Sequence, residues 1–296
     1  MKLAYLGTPE AAVPPLDALV AAGHDVVTVV TRADTRRGRG SSTTPSPVKA
    51  AAQRHGIPVT HEVDDLLEPA QRGEIELGVV VAYGRIIRPH VLDVLPMVNL
   101  HFSLLPQWRG AAPVERAILA GDERTGVCLM AVEEGLDTGG VYGRVEVPVA
   151  DRTADELRAE LVAEGSRLLV DRLADGLAGL GEPEPQRGTP IYADKIRPEE
   201  LRLDWSRPAV ELERVVRLGG AWTTFRGKRI KILAARLEAE TEVGVEGDRR
   251  VEVEGSRSQA DALRLVPIEV RPEGKAAMSF EAWRNGARPA PGEWFE

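Results

Sequence analysis

The sequence predicts an α/β protein of two domains: a Rossmann-like parallel sheet over residues 1–180 and a small C-terminal β-barrel, OB-like, over residues 207–296. Short apolar runs alternate with helix-period segments through the first part of the chain, as in α/β folds. A Gly- and Pro-rich stretch over residues 181–206 then predicts a linker. With 296 residues, the chain is long enough for two domains.

Strands and helices are predicted in alternation through the first domain. Runs of β-branched and aliphatic residues predict buried strands at residues 3–6, 26–31, 77–83, 98–101 and 127–132. Amphipathic or proline-opened segments predict helices at residues 13–22, 47–55, 89–95, 111–120 and 155–176. Such alternation is typical of a parallel sheet with crossover helices, in which ligands bind at the carboxyl ends of the strands.

The second domain is predicted to be mainly β-structure. A helix at residues 210–218 precedes a hairpin whose turn is Arg226-Gly227, and further short strands are predicted near Lys231, Val251 and Leu263. A compact barrel of this size is typical of nucleic-acid-binding modules.

Composition excludes several classes of protein. With 43% apolar and 28% charged residues, the chain is neither disordered nor fibrous. No stretch approaches the ~20 apolar residues of a membrane span, so we expect a cytoplasmic protein without a membrane partner. Because no exposed apolar helix face is obvious, we expect a monomer. The single cysteine, Cys128, lies in an apolar run and is interpreted as a core residue, and the five scattered histidines predict no metal site.

Two basic clusters stand out against a net charge of −8. The acidic excess lies before residue 207, yet residues 32–49 hold one cluster and the segment around the Arg226-Gly227 turn holds another. Phosphate contacts are predicted for Arg36, Arg37, Arg39 and Lys49 in the first and for Arg226, Lys228 and Arg229 in the second. The alternative is that both clusters are merely solvated surface.

The segment around residue 100 is the strongest indication of chemistry. The glycine fingerprint of dinucleotide-binding proteins is absent from the first turn, at residues 7–10. Asn99 and His101 are two residues apart on a predicted strand, so both side chains should project from one face near its carboxyl end. An amide can donate to an oxyanion and an imidazole can exchange a proton near neutral pH. A structural role for the histidine is the alternative.

A glycine-flanked acidic segment, Glu133-Glu134-Gly135-Leu136-Asp137-Thr138-Gly139-Gly140, follows the strand predicted at residues 127–132. Glycines permit close approach of the backbone to a ligand, and Asp137 could supply a carboxylate to the same site. Alternatively, this segment is a solvated turn in which Asp137 forms a local cap.

Together these motifs resemble the folate-dependent formyltransferases. The resemblance rests on Asn99-x-His101, Ser103-Leu104-Leu105-Pro106, Gln107-Trp108-Arg109-Gly110-Ala111-Ala112-Pro113 and the acidic segment. Further segments are similar, including Gly7-Thr8-Pro9, Pro45-Ser46-Pro47-Val48-Lys49, Val80-Val81-Ala82-Tyr83-Gly84 and Tyr192-Ala193-x-Lys195-Ile196. The similarity is dense to about residue 207 and thinner beyond it. The Trp-Arg-Gly-Ala-Ala-Pro stretch is typical of the members that act on charged initiator tRNA.

The resemblance implies a formyltransferase domain whose donor is 10-formyltetrahydrofolate and whose acceptor is initiator methionyl-tRNA, with the C-terminal domain binding tRNA. It implies that Asn99 and His101 donate to the formyl oxygen while Asp137 orients His101 and relays a proton. It also implies a set of folate contacts at Gly84, Ile86, Ile87, Ser103, Leu104, Leu105, Pro106 and Glu134. The two isoleucines are equally well interpreted as core residues.

Two other hypotheses remain open from the sequence. The first is a folate-dependent enzyme with another acceptor, such as a sugar-nucleotide amine, glycinamide ribonucleotide or water. The basic segment at residues 32–49 and the separate second domain favour a macromolecular acceptor. The second is a non-catalytic nucleic-acid-binding module, against which the acidic first domain argues.

Overall fold

The structure, a computed structural model, describes residues 1–36, 43–239, 263–293 and 295–296. The chain divides into two compact units. The first unit comprises Met1–Arg116, Glu123–Ala150 and Glu156–Asp194, and the second comprises Ala117–Asp122, Asp151–Asp155 and Lys195–Glu296. Residues 181–194, which the sequence predicts to be linker, are therefore part of the first unit.

Eleven strands and six α-helices precede residue 195 in the described ranges. The strands are β1 Lys2–Gly7, β2 Asp25–Val30, β3 Thr35–Arg36, β4 Thr43–Thr44, β5 Val59–Thr60, β6 Leu77–Val81, β7 Met97–His101, β8 Arg109–Gly110, β9 Arg124–Ala131, β10 Val141–Pro148 and β11 Tyr192–Ala193. The helices are α1 Val13–Ala21, α2 Pro47–Arg54, α3 Leu67–Gln71, α4 Pro89–Leu92, α5 Pro113–Ala120 and α6 Ala154–Leu173.

The core of the first unit is a seven-stranded sheet with the order β10-β9-β7-β6-β1-β2-β5. The five strands from β5 to β7 in this order pair in parallel. Their apolar residues are buried, and the fully buried Tyr5 satisfies its hydroxyl by donating to the Ala12 carbonyl at 2.5 Å. The Rossmann-like α/β class predicted from the sequence is confirmed.

The remaining edge of the sheet differs from the prediction. Strand β9 pairs antiparallel with β7, and β10, which the sequence analysis does not assign, pairs antiparallel with β9. The connection over residues 102–123, which contains α5, therefore begins and ends at the same end of the sheet. Because β9 is reversed, its last residue, Ala131, lies opposite Val98 at the amino end of β7.

Cys128 lies on β9 within a small apolar cluster with Leu105, Met130 and Val141. Its side chain is fully buried, and burial raises the pKa of the thiol. The interpretation of this cysteine as a core residue is confirmed.

The second unit contains a four-stranded antiparallel sheet with the order β12-β13-β14-β15. Its elements are α7 Ala209–Arg217, β12 Trp222–Phe225, β13 Lys228–Ala239, β14 Leu263–Pro272, β15 Met278–Ser279 and α8 Phe280–Ala287. The predicted hairpin turn is confirmed: Arg226 and Gly227 have φ angles of 49° and 69°, the left-handed values that a tight two-residue turn requires. The strand predicted near Val251 lies outside the described residues.

Aromatic rings pack the second sheet against α8. Phe225 packs edge-on against Trp283 with centroids 5.1 Å apart, and Trp283 stacks on Phe280 at 5.4 Å and on Phe295 at 5.3 Å. Pairs of this kind add about 0.5–1.5 kcal/mol each to the free energy of burial. Within the described residues, the predicted barrel is thus represented by a four-stranded antiparallel sheet with an aromatic core.

Candidate active site

Asn99 and His101 lie on β7 and share one face of the strand, as their spacing predicts. His101 is 5% exposed, and Asn99 is half-buried. In the described part of the chain, no residue forms a hydrogen bond with the Asn99 side chain. The Asn99 amide is therefore available to a ligand.

The imidazole of His101 is fixed from one side. Its Nε2 lies 2.9 Å from the carbonyl oxygen of Trp108, which can only accept, so Nε2 carries a proton. Its Nδ1 lies 3.6 Å from Oδ2 of Asp137, beyond direct hydrogen-bonding distance. The ring can gain or lose a proton at Nδ1 without breaking its bond to Trp108.

Asp137 lies beside His101 at the carboxyl end of β7, although β9, the strand before it, ends at the amino end of β7. The connection between β9 and β10 leaves the sheet beside Met97, where the Val132 amide donates to the Met97 carbonyl at 2.9 Å. It then folds back along β7, so that Oδ2 of Asp137 accepts from the Gly110 amide at 2.8 Å. The loop between β9 and β10 therefore brings Asp137 to the site, which is not formed by the carboxyl ends of neighbouring parallel strands alone.

Left-handed backbone recurs around this site. Trp108 and Asp137 have φ angles of 60° and 52°, and Ala82, just past the end of β6, has 47°. Non-glycine residues adopt these angles only where surrounding contacts impose them. Here they direct the Trp108 carbonyl and the Asp137 carboxylate toward the same imidazole.

Two residues that the sequence analysis assigned no role also belong to this arrangement. Gln186 donates to the carbonyl oxygens of Asp137 at 2.9 Å and Gly139 at 2.8 Å. Arg109 donates to the Gln186 carbonyl oxygen from Nε at 3.1 Å and from Nη2 at 2.6 Å. Arg109 lies in the Trp-Arg-Gly motif, so that motif could have indicated a role for Arg109 at this site. Gln186 lies in a Gly- and Pro-rich segment where nothing in the sequence pattern points to it.

The residues predicted to contact folate fall into two groups. Ile86 is 85% exposed and lies two residues from Gly84, whose φ is 78°, while Glu134 is also exposed. In contrast, the side chain of Ile87 is buried in a core cluster that includes Leu6 and Val80, so its predicted contact with folate stays a prediction.

The Ser103-Leu104-Leu105-Pro106 segment is mostly turned inward. The hydroxyl of the buried Ser103 donates to the Gln107 carbonyl at 2.6 Å, and Leu105 lies in the apolar cluster around Cys128. Leu104 packs against Gly126 of β9, and Pro106 follows a cis peptide bond and is half-buried. The Ser103 hydroxyl is therefore satisfied within the chain, and the Leu105 side chain is part of the core.

The cations that the sequence predicts to bind phosphate differ in whether a carboxylate already pairs with them. Arg37, Arg39 and the Arg36 side chain lie outside the described residues. Lys49 lies in α2, which begins after the N-cap Ser46, and its amino group is paired with Asp34 at 2.8 Å.

The second cluster surrounds the hairpin turn. Arg226 is held by Glu293 at 2.5 Å and 2.6 Å, and this hydrogen-bonded pair lowers the pKa of Glu293 to about 2. Lys228 is exposed, and the Arg229 guanidinium lies over the Trp222 ring, 4.0 Å from its centroid. These three cations line a cleft of about 420 Å³ with Met278 and Trp283 among its walls.

Comparison with known proteins defines the class to which this fold and site belong. Residues 1–173 match the family described as formyl transferase, and residues 195–288 match the family described as formyl transferase, C-terminal domain. The chain therefore belongs to the formyltransferases.

Individual relatives narrow the family further. The chain is 42% identical to a methionyl-tRNA formyltransferase of Novosphingobium aromaticivorans over 99% of this chain and 98% of that one. It is 48% identical to one of Dinoroseobacter shibae over 80% of this chain and 83% of that one. The chain belongs to the methionyl-tRNA formyltransferase family.

A solved structure shares the fold. The N-formyltransferase of Helicobacter canadensis, in complex with folinic acid and dTDP-3-aminofucose, superposes with a TM-score of 0.67 at 18% identity. The superposition covers 90% of this chain and 98% of that one.

In the described ranges, no helix is both long and apolar enough to cross a bilayer.

Proposed function

We propose that this chain transfers the formyl group of 10-formyltetrahydrofolate to the amine of methionyl initiator tRNA, and thereby supports translation initiation. The observation that carries the proposal is the free Asn99 amide on the same strand face as His101, whose Nδ1 lies 3.6 Å from Asp137. Near-full-length relatives named methionyl-tRNA formyltransferase support the identity of the acceptor.

The Asn99 amide would stabilise the reaction electrostatically. When the acceptor amine attacks the formyl carbon, negative charge develops on the formyl oxygen and requires a donor that is already in place. Asn99 provides N–H donors with no competing partner among the described residues, so little reorganisation is needed. His101, when protonated at Nδ1, provides a second donor.

His101 and Asp137 would handle the proton. The acceptor amine must lose one proton as the new C–N bond forms, and the folate nitrogen must gain one as the old C–N bond breaks. Nδ1 of His101 can take up and return that proton because Nε2 stays bonded to Trp108 throughout. The Asp137 carboxylate, whose Oδ2 lies 3.6 Å from Nδ1, would stabilise the imidazolium that this proton uptake creates.

The folate donor fits two exposed apolar side chains on separate loops. Ile86 is 85% exposed and Leu136, next to Asp137, is 60% exposed. Exposed aliphatic side chains beside polar backbone are suited to the faces of a flat heterocycle, whose edge requires hydrogen bonds. The folinic acid bound by the Helicobacter canadensis enzyme, which shares this fold, is a molecule of the same class.

The acceptor is tested by supplying the chain with 10-formyltetrahydrofolate and, in parallel, charged initiator tRNA, charged elongator methionyl-tRNA and an amino-sugar nucleotide. We expect formyl-methionine to form on initiator tRNA at the highest kcat/KM. Faster formylation of the amino-sugar nucleotide would contradict the proposed acceptor, whereas no formylation of any amine would contradict the proposed reaction. Asn99→Ala serves as the control for a contaminating activity.

A further inference from the structure

Gln186 uses all the hydrogen-bonding capacity of its side chain at the candidate site. Its two N–H groups donate to the carbonyl oxygens of Asp137 and Gly139, at 2.9 Å and 2.8 Å. Its carbonyl oxygen accepts twice from Arg109, at 3.1 Å and 2.6 Å. A primary amide offers two donors and two lone pairs, so none is left for a substrate.

Arg109 fixes which way this amide faces. A guanidinium only donates, so the Gln186 oxygen must face Arg109 and the nitrogen must face the loop. Arg109 is 9% exposed and pairs with no carboxylate in the described part of the chain. Its charge therefore strengthens the two bonds to Gln186, as charge-assisted hydrogen bonds are stronger than neutral ones.

The loop that Gln186 holds needs an external restraint. Residues 133–136 are exposed, and Asp137 has the unfavourable φ of 52°. Gly110, adjacent to Arg109 on β8, binds the Asp137 carboxylate at 2.8 Å. The Arg109-Gly110 strand thus restrains Asp137 twice: directly through its carboxylate, and through Gln186 at its main chain.

We infer that Gln186 is a positioning residue for formyl transfer, which acts by keeping the Asp137 carboxylate 3.6 Å from Nδ1 of His101. The inference rests on the proposed function, because it gives Gln186 a role only through Asp137. A displacement of about 1 Å at a reacting group can cost about 10²-fold in rate. Gln186 does not contact the reacting atoms and is not itself a catalytic residue.

Two substitutions distinguish the hydrogen bonds that Gln186 donates to the loop from those that it accepts from Arg109. Gln186→Met keeps the length of the side chain but removes every hydrogen bond. Gln186→Glu keeps the acceptor for Arg109 and strengthens it to an ion pair, but turns a carboxylate oxygen toward the carbonyls of Asp137 and Gly139. The matched control is Glu184→Gln, two residues earlier, whose side chain is 80% exposed.

We expect Gln186→Met to lower kcat by about 10- to 100-fold, with KM for donor and acceptor within about twofold of wild type. Gln186→Glu should lower kcat comparably at pH 7, and its activity relative to wild type should rise as the pH falls and the carboxyl gains a proton that it can donate. The corresponding ratio for Gln186→Met should not change with pH. Glu184→Gln should behave as wild type.

A double-mutant cycle tests whether the effect passes through Asp137. In an Asp137→Asn background, Gln186→Met should cause no further loss of kcat, since coupled residues are not additive. A full additional loss in that background, or wild-type kcat in folded Gln186→Met and Gln186→Glu, would overturn the inference. If the wild-type protein transfers no formyl group, the proposed function is wrong and the inference is wrong with it. If the wild-type protein is active and only the Gln186 results contradict the expectation, the inference alone is wrong.

Discussion

Removing either donor on β7 should affect the transition state more than the fold. Asn99→Ala and His101→Ala should each lower kcat/KM for formyl transfer by about 10²-fold or more, as loss of an oxyanion donor does. The Asn99 amide has no partner among the described residues, so its removal should leave the melting temperature unchanged. Single-turnover formylation and thermal melts provide the measurements.

Asn285→Ala is the matched control for this prediction, because Asn285 is exposed on α8 in the other unit. Binding of charged tRNA should survive all three substitutions. Near-normal turnover of Asn99→Ala would show that its amide does not meet the developing negative charge.

Asp137→Asn isolates the charge of the carboxylate. The new amide oxygen can still accept from the Gly110 amide, so the loop should keep its position while the negative charge beside His101 is lost. We expect turnover to fall by about 10²- to 10⁴-fold, the range for general acid–base groups, with folate affinity reduced only slightly. Turnover should be followed from pH 6 to 9, and wild-type rates throughout that range would mean that Asp137 is only structural.

At the scale of residues, the sequence indicated Asn99, His101 and Asp137 but not Gln186. The first two follow from strand periodicity, a local property. Gln186 contacts Asp137 across 49 positions, and a hydrogen bond over that separation leaves no periodic signal in a single sequence. The roles assigned to all four remain predictions.

Among the elements, the five parallel strands were predictable because buried β-branched runs and intervening helices are both local patterns. The direction of β9 was not, because periodicity is the same for parallel and antiparallel strands. It depends on whether α5 carries the chain back along the sheet, which is a matter of tertiary packing. Because β10 pairs antiparallel with β9, it can follow after a short connection.

The ion pair of Arg226 with Glu293 gives the second unit a specific pH dependence. The hydrogen-bonded Arg226 lowers the pKa of Glu293 to about 2, so the pair stabilises the fold fully above the ordinary carboxyl pKa of about 4.3 and loses that contribution as the pH falls toward 2. Glu293→Gln should therefore melt below wild type at pH 6, with the difference shrinking below about pH 4.5. Fluorescence of Trp205 and Trp283 reports this unit.

Glu269→Gln, which changes an exposed carboxyl on β14, is the control and should melt like wild type at each pH. A difference between Glu293→Gln and wild type that stays constant from pH 6 to 3 would contradict the assigned role of the pair.

For the whole molecule, the two basic clusters should matter only for a polyanionic acceptor. A Lys228→Ala/Arg229→Ala double variant and Arg39→Ala should each raise KM for charged tRNA and reduce the salt slope of log kcat/KM by about one for each phosphate that the variant no longer neutralises. Slow hydrolysis of the formyl donor, which involves no tRNA, should not change. Formylation measured from 50 to 200 mM salt tests this.

Lys2→Ala, which removes one exposed cation from the first unit, provides the comparison for non-specific loss of charge. Salt slopes equal to wild type in both sets of variants would exclude these clusters from acceptor binding.

Residues 184–193 have a consequence for how an active molecule can be assembled. They form part of the first unit: Glu184 pairs with Val141, Gln186 holds the Asp137 loop, and β11 pairs with β8. On the ribosome, the seven-stranded sheet could emerge complete while the loop that carries Asp137 still lacked these restraints. A chimera joined at residue 180 would likewise inherit the sheet without them. The smallest unit that recombination could exchange intact therefore extends through Ala193.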